Sequence, residues 1–240
     1  MQGATEQTDS SQFTADGFVR GLHESVPIAV AVFTYGVVFG VLARQTPLGT
    51  IETLLMSVTV FAASAQFVVL DLWRTPLAVI PIVITTVAVN LRHLLLSAAL
   101  EPWFSRLKRG RIYGTLFFLN DESWGLTMRA HSDGETDGAY LLGSGCLVFV
   151  AWVSATGVGL TAGGLISDPT RFGLDMAFAA VYIALLVGVW DGRSDAVPVA
   201  VGGGVALVAS MILAGSWHII IGGLAGSLAG VVRDELGEHQ

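Results

Sequence analysis

The sequence predicts an all-α polytopic integral membrane protein of about seven or eight hydrophobic helices. Three observations carry that prediction. The chain is 53% hydrophobic and only 13% charged, more apolar surface than a soluble core of 240 residues can bury. Its charges collect in short islands, RLKRGR at 106–111, HSDGETDG at 131–138 and WDGRSD at 190–195, with long apolar stretches between. Its 29 glycines are too many for soluble helices but suit a membrane bundle, where small residues let backbones approach. Membrane-spanning strands would alternate in polarity, and these runs do not, which excludes a β-barrel.

Taken in order, residues 1–19 are polar and acidic, lack the basic and apolar regions of a secretory signal, and predict a disordered lead-in. A single transmembrane domain is expected over 20–232, then a polar tail over 233–240. Apolar runs lie at 26–43, 52–71, 75–100, 112–130, 139–161, 172–190, 197–214 and 216–232. Each is close to the roughly 20 residues that cross about 30 Å of hydrocarbon. The weakest is 52–71, whose centre, FAASAQF, gathers small residues around the amide of Gln66. A broken or re-entrant helix is expected there, with an ordinary span packed through small residues as the alternative.

Parity bears on the same run. The basic island at 101–111 belongs on the cytoplasmic side by the positive-inside rule. If the N-terminus shares that side, an even number of crossings must precede the island, whereas three apolar runs do. Either the N-terminus is outside or one early run does not cross. With 112–130 taken as a full span, the acidic loop at 131–138 is expected outside. Near the C-terminus, Gly222, Gly226 and Gly230 form a continuous small-residue ridge, and Gly36 with Gly40 a shorter one. Such ridges pack helices within a chain, and the terminal one also offers a docking face for a second subunit.

Composition narrows function as well. The net charge of −7 sits mostly in the N-terminal segment, the 131–138 island and the C-terminal residues, and no basic face for nucleic acid exists. Cys146 is the only cysteine, so disulfides and multi-cysteine metal sites are excluded and no cofactor is expected. No GxxxxGK[ST] motif is present, so ATP is not expected to drive this chain directly. An enzyme is not expected: HESVP at 23–27 lacks the second histidine of HExxH, and Ser216 and His218 are two apart, which puts them on different helix faces.

The informative residues are the polar ones inside apolar runs. In VAVNLRHLLLSAAL (87–100), Asn90 and His93 share a stripe with Thr86 and Ser97, while Arg92 points to another sector. An arginine at that depth costs a few kcal/mol and must face protein, water or a partner charge. The next run supplies partners in Asn120, Asp121 and Glu122. Arg92 is nine residues before Glu101 and Asp121 ten after Arg111, so both lie about 14 Å from the shared basic loop. A cation and two acids are thus expected at one level, as a transport site or as an ion pair that fixes helix register.

The order GVVFGVLARQ (36–45), ETLLMSVTVFAASAQF (52–67), NLRHLLLSAAL (90–100) and FFLNDESWGLT (117–127) resembles the AzlC-type branched-chain amino acid permeases, from about residue 17 to 232. The resemblance implies a multi-pass protein of the cytoplasmic membrane that exports valine, leucine and isoleucine with a small hydrophobic AzlD-type subunit. It also implies that Gln66, Asn90, Arg92, His93, Asp121, Glu122 and Trp124 occupy the family's motif positions. Where the family carries an FAGAAQF-like stretch, this chain has Ala63 and Ser64, so a break that depends on glycine would lose support here.

These readings give one expectation for the substrate and ion pathway: Gln66, Asn90, Arg92, His93, Asn120, Asp121, Glu122 and Trp124, in a proton-coupled secondary transporter. Arg92, Asn90 or a half-helix N-terminus can meet a carboxylate, and Asp121 or Glu122 an ammonium group. The same cluster is compatible with a channel or passive facilitator, or with a structural membrane subunit.

Overall fold

Thr14 opens the first helix by accepting a hydrogen bond from the Gly17 amide at 3.0 Å, and α1 (Ala15–Glu24) follows. The computed structural model describes residues 13–104, 107–166, 192–213 and 217–237, with isolated positions at 183, 186–187 and 190. A proline in its first turn starts α2 (Val26–Arg44). The run 52–71 becomes α3 (Thr50–Thr59) and α4 (Ala63–Leu72). Next come α5 (Val79–Asn90), α6 (Arg92–Ala99) and the short α7 (Glu101–Phe104). Leu91 keeps helical angles between α5 and α6, and the two form one span of 21 residues, Val79–Ala99. The run 112–130 becomes α8 (Arg109–Phe117) and α9 (Asp121–Ser132), and α10 (Ala139–Gly164) follows. A 3-10 turn at Gly192–Asp195 leads to α11 (Ala196–Ile212), then α12 (Trp217–Gly237).

Among the described residues every element is helical, as the sequence predicts. Within the described residues, three stretches are long and apolar enough to cross a membrane: α2, Val79–Ala99 and α10. The expected lead-in over 1–19 gives way to helix at Ala15, and α12 extends through Gly237 into the expected tail. Both differences come from the rest of the helix supporting polar ends that have no apolar signal of their own. The run 172–190 lies outside the described residues, apart from its isolated positions.

α1 and α2 run parallel to α10. A methyl group on Gly143 would lie 2.0 Å from the Phe18 carbonyl oxygen, and one on Gly40 2.3 Å from that of Thr156. Only glycine lets the backbones approach so closely. Around this pair the core gathers Phe39, Phe67, Leu70, Val148 and Trp152, with the Phe39 and Trp152 rings 5.3 Å apart. The ridge near the C-terminus also packs within the chain. A methyl on Gly222 would lie 2.5 Å from Ala206 Cβ, and one on Gly226 3.0 Å from the Pro198 carbonyl oxygen, while Gly230 is looser, at 3.6 Å from Pro198 Cγ.

One expectation is overturned. The acidic loop at 131–138 is not a span away from the basic island. The Arg111 guanidinium lies 5.0 Å from the centre of the Phe13 ring, and the adjacent Thr14 donates its amide to the Asp137 carboxylate at 3.2 Å. Arg20 joins the same end through Glu135 at 2.5 Å. Both ends of the α8–α9 unit therefore meet the N-terminal helix, and the unit is a re-entrant pair that turns at 118–120. Hydropathy alone reads apolar length and cannot distinguish two half-helices from one whole helix.

The α3–α4 unit turns in the same manner from the other end. Thr50 lies beside Arg44 at 3.4 Å, and across the turn Gln66 donates to Ser57 at 3.2 Å. α4 packs along α5, which begins the span that ends at Leu100 and Phe104, packed with Leu141 near the start of α10. The run 52–71 is therefore a re-entrant pair, so two crossings precede the basic island, and the residues next to the N-terminus share its end. The parity conflict disappears. Both turns meet on α10, where the Phe149 ring is 5.0 Å from Phe61 and 5.3 Å from Phe118.

Candidate functional site

At the meeting point of the two turns, one cation bridges them. Arg92 Nη2 donates to Ser64 Oγ in the first turn of α4 and lies 2.9 Å from Asp121 Oδ2, the first residue of α9. Arg92 and Asp121, matched by depth in the sequence, are thus brought together from different elements. Their side chains remain 38% and 44% exposed, so the pair is open to approach.

The acids are fixed by the way α9 begins. Asn120 Oδ1 accepts from the Ser123 amide at 2.7 Å, and Ser123 Oγ accepts from the Asn120 amide at 3.1 Å, a reciprocal cap. It sets Asp121 and Glu122 in the first turn, where the helix dipole favours negative charge. The start of α4 is the opposite. Its N-cap is Ala62, which has no side-chain acceptor, and its first turn carries no acid. One turn of the site thus offers carboxylates and the other bare amides beside a guanidinium.

The other predicted residues divide. Asn90 and His93 flank Arg92, with His93 Nδ1 3.3 Å from the Asn90 carbonyl oxygen. Glu122 is exposed beside Asp121, and Trp124 lies one turn along α9. Gln66 is set apart from this cluster: it is fully buried, accepting from Trp152 Nε1 at 2.9 Å and donating to Ser57. Ser57 in turn lies 3.2 Å from Thr156 Oγ1, so Gln66 ties α3 and α4 to α10.

Sequence reasoning misses Ser64 and Phe149. Ser64 was legible as a polar residue in the weakest apolar run, but nothing local pairs it with an arginine 28 positions away. Phe149 carries no signal, being one aromatic in an apolar helix. Together the cluster supplies one permanent cation, two carboxylates, one imidazole and several amide donors at one level, the inventory for holding both ends of a zwitterion.

Comparison with known proteins fits this arrangement. The family model described as AzlC protein matches residues 27–166, which take in both turns, Arg92 and Asp121. An uncharacterized membrane protein of Archaeoglobus fulgidus is 30% identical over 213 residues, covering 88% of this chain and 93% of its own. The branched-chain amino acid transport protein AzlC of Bacillus subtilis is 24% identical over 218 residues, covering 90% and 84%. An uncharacterized membrane protein of Haemophilus influenzae is 22% identical over 199 residues, covering 82% and 80%. No solved structure matches. With the matched region holding the complete candidate site and more than half the chain, this multi-pass membrane protein belongs to the AzlC family.

Proposed function

We propose that this chain is the large subunit of a secondary transporter that exports valine, leucine and isoleucine across the cytoplasmic membrane. The observation that carries the reading is the Arg92–Asp121 pair, open to approach where two half-helix turns meet. A zwitterionic amino acid needs compensation of both charges at one depth, and an apolar pocket for its side chain. The pair supplies the first, and Phe117, Phe118 and Phe149 stand beside the tips to supply the second. The similarity to the Bacillus subtilis transport protein supports the substrate class.

Export against a gradient requires a driving ion. His93, Asp121 and Glu122 all change charge by gaining or losing a proton, so proton coupling is the mechanism this site favours. A small hydrophobic AzlD-type subunit is the proposed partner. The shallow groove lined by Gly223, Ser227 and Gly230 on α12, beside α11, is a surface where a partner helix can lie close. Residues 20–232 act as one transport domain.

The test is uptake of labelled valine into proteoliposomes preloaded with unlabelled valine, leucine, lysine or buffer, with and without the small subunit. Valine and leucine inside should accelerate uptake and lysine should not, and an imposed pH gradient should drive net flux. Asp121→Asn should reach the membrane at normal abundance while exchange falls to background. Folded complex without any exchange, or normal exchange by Asp121→Asn, would sink this reading of the site.

A further inference from the structure

Four buried polar atoms on residues within three positions of Arg92 or Asp121 find no hydrogen-bond partner among the described residues: Arg92 Nε, Asn120 Nδ2, Trp124 Nε1 and Asn90 Oδ1. Three are donors and one is an acceptor. Native proteins pair nearly all such atoms, so four of them on the two segments joined by this ion pair point to something that binds there. Their donor excess gives the sign of the ligand group.

Asn120 is the most informative of the four. The residue is only 7% exposed, and its Oδ1 accepts from the Ser123 amide at 2.7 Å, which leaves Nδ2 unused by the cap. A cap needs only the oxygen, and serine or aspartate would provide it equally well. Asparagine adds a donor that the local fold does not use. Trp124, three residues after Asp121 and on the same helix face, brings a second one. Spare donors on the turn whose Asp121 holds the guanidinium suit a planar group with two anionic oxygens.

We infer that Asn120 Nδ2 and Trp124 Nε1, with Arg92, bind the carboxylate of the substrate, leaving Asp121 to its ammonium group; this deepens, and rests on, the transport reading above. Before substrate arrives, Asp121 serves as the carboxylate on Arg92. The incoming carboxylate takes its place and releases Asp121 to the ammonium. A zwitterion adds no net charge, so the exchange leaves the site electrically balanced. Asn120 therefore has two separable tasks, starting α9 through its oxygen and reading the substrate through its nitrogen.

The experiment uses the reconstituted transporter with labelled valine and two competitors. One, 2-methylpropan-1-amine, lacks the carboxylate; the other, 3-methylbutanoate, lacks the amino group. Asn120→Ser keeps a capping oxygen and should keep the melting temperature of the detergent-solubilised protein. It should raise the KM for valine roughly tenfold or more and weaken competition by 3-methylbutanoate equally, while competition by the amine stays unchanged. Trp124→Phe, which keeps an aromatic ring and removes the donor, should shift the same way and serves if Asn120→Ser does not fold. A well-folded Asn120→Ser or Trp124→Phe with wild-type KM and wild-type sensitivity to 3-methylbutanoate would overturn the assignment and leave the transport reading standing. Wild-type protein that neither exchanges valine nor responds to either competitor would remove both.

Discussion

Arg92 serves two partners through one guanidinium nitrogen, with Ser64 on one turn and Asp121 on the other. A lysine would keep the charge but lose the rigid fork and the Nε–H. We expect Arg92→Lys to remain in the membrane at normal abundance while its valine exchange rate falls at least about tenfold, since one lost hydrogen bond to a charged group is worth about 1.5–3 kcal/mol. Ser64→Ala should be milder, raising KM a few-fold. The rates and KM values come from the same proteoliposome assay, and an Arg92→Lys protein with normal rates would show that charge alone suffices. Depth counting from the basic loop was enough to match Arg92 with Asp121, because two helices sharing a loop keep a common origin. Ser64 escaped that count because its element enters from the opposite end, where no shared loop fixes the register.

At the scale of elements, the two turns are made differently, which decided how each was read. The turn at 60–62 forms without glycine: Phe61 takes φ 43°, in the left-handed region, at a cost of about 1–2 kcal/mol. Its ring packs edge-on to Phe149, a contact that helps to offset that strain. The break therefore does not depend on glycine, and Ala63 and Ser64 take nothing away from it. The turn at 118–120 was hidden by Phe118 and Leu119, which extend the apolar run, although Asn120 followed by two acids is a helix-start pattern. Gln66 secures the first turn to α10 through Trp152. Gln66→Leu would remove the acceptor of the indole N–H and one of the two partners of the Ser57 hydroxyl, at about 1–3 kcal/mol. We expect a lower melting temperature in detergent and an unchanged KM for the folded fraction. A raised KM at a normal melting temperature would instead put Gln66 on the substrate pathway.

At the scale of the whole molecule, the architecture makes a topological claim that composition alone did not reach. Both arms of α8–α9 end at the face that holds Phe13, Thr14 and Arg20, and both arms of α3–α4 end at the opposite face. Hydropathy identified where the chain is apolar, and so recovered the class and most of the helices, but sidedness depends on which apolar runs turn back. By the positive-inside rule, Lys108, Arg109 and Arg111 on the first face predict that it faces the cytoplasm. The prediction is open to labelling. With Cys146, the only cysteine, replaced by alanine, single cysteines at Lys108, Thr136 and Thr46 report one loop each. An impermeant maleimide should modify Lys108→Cys and Thr136→Cys only from the cytoplasmic side, and Thr46→Cys only from outside. Labelling of positions 108 and 136 from opposite sides would make 112–130 a complete span and dissolve the meeting of the two turns. Labelling of both from one side would keep 112–130 re-entrant, with the two tips entering from opposite faces and Arg92 joining them through Ser64 and Asp121.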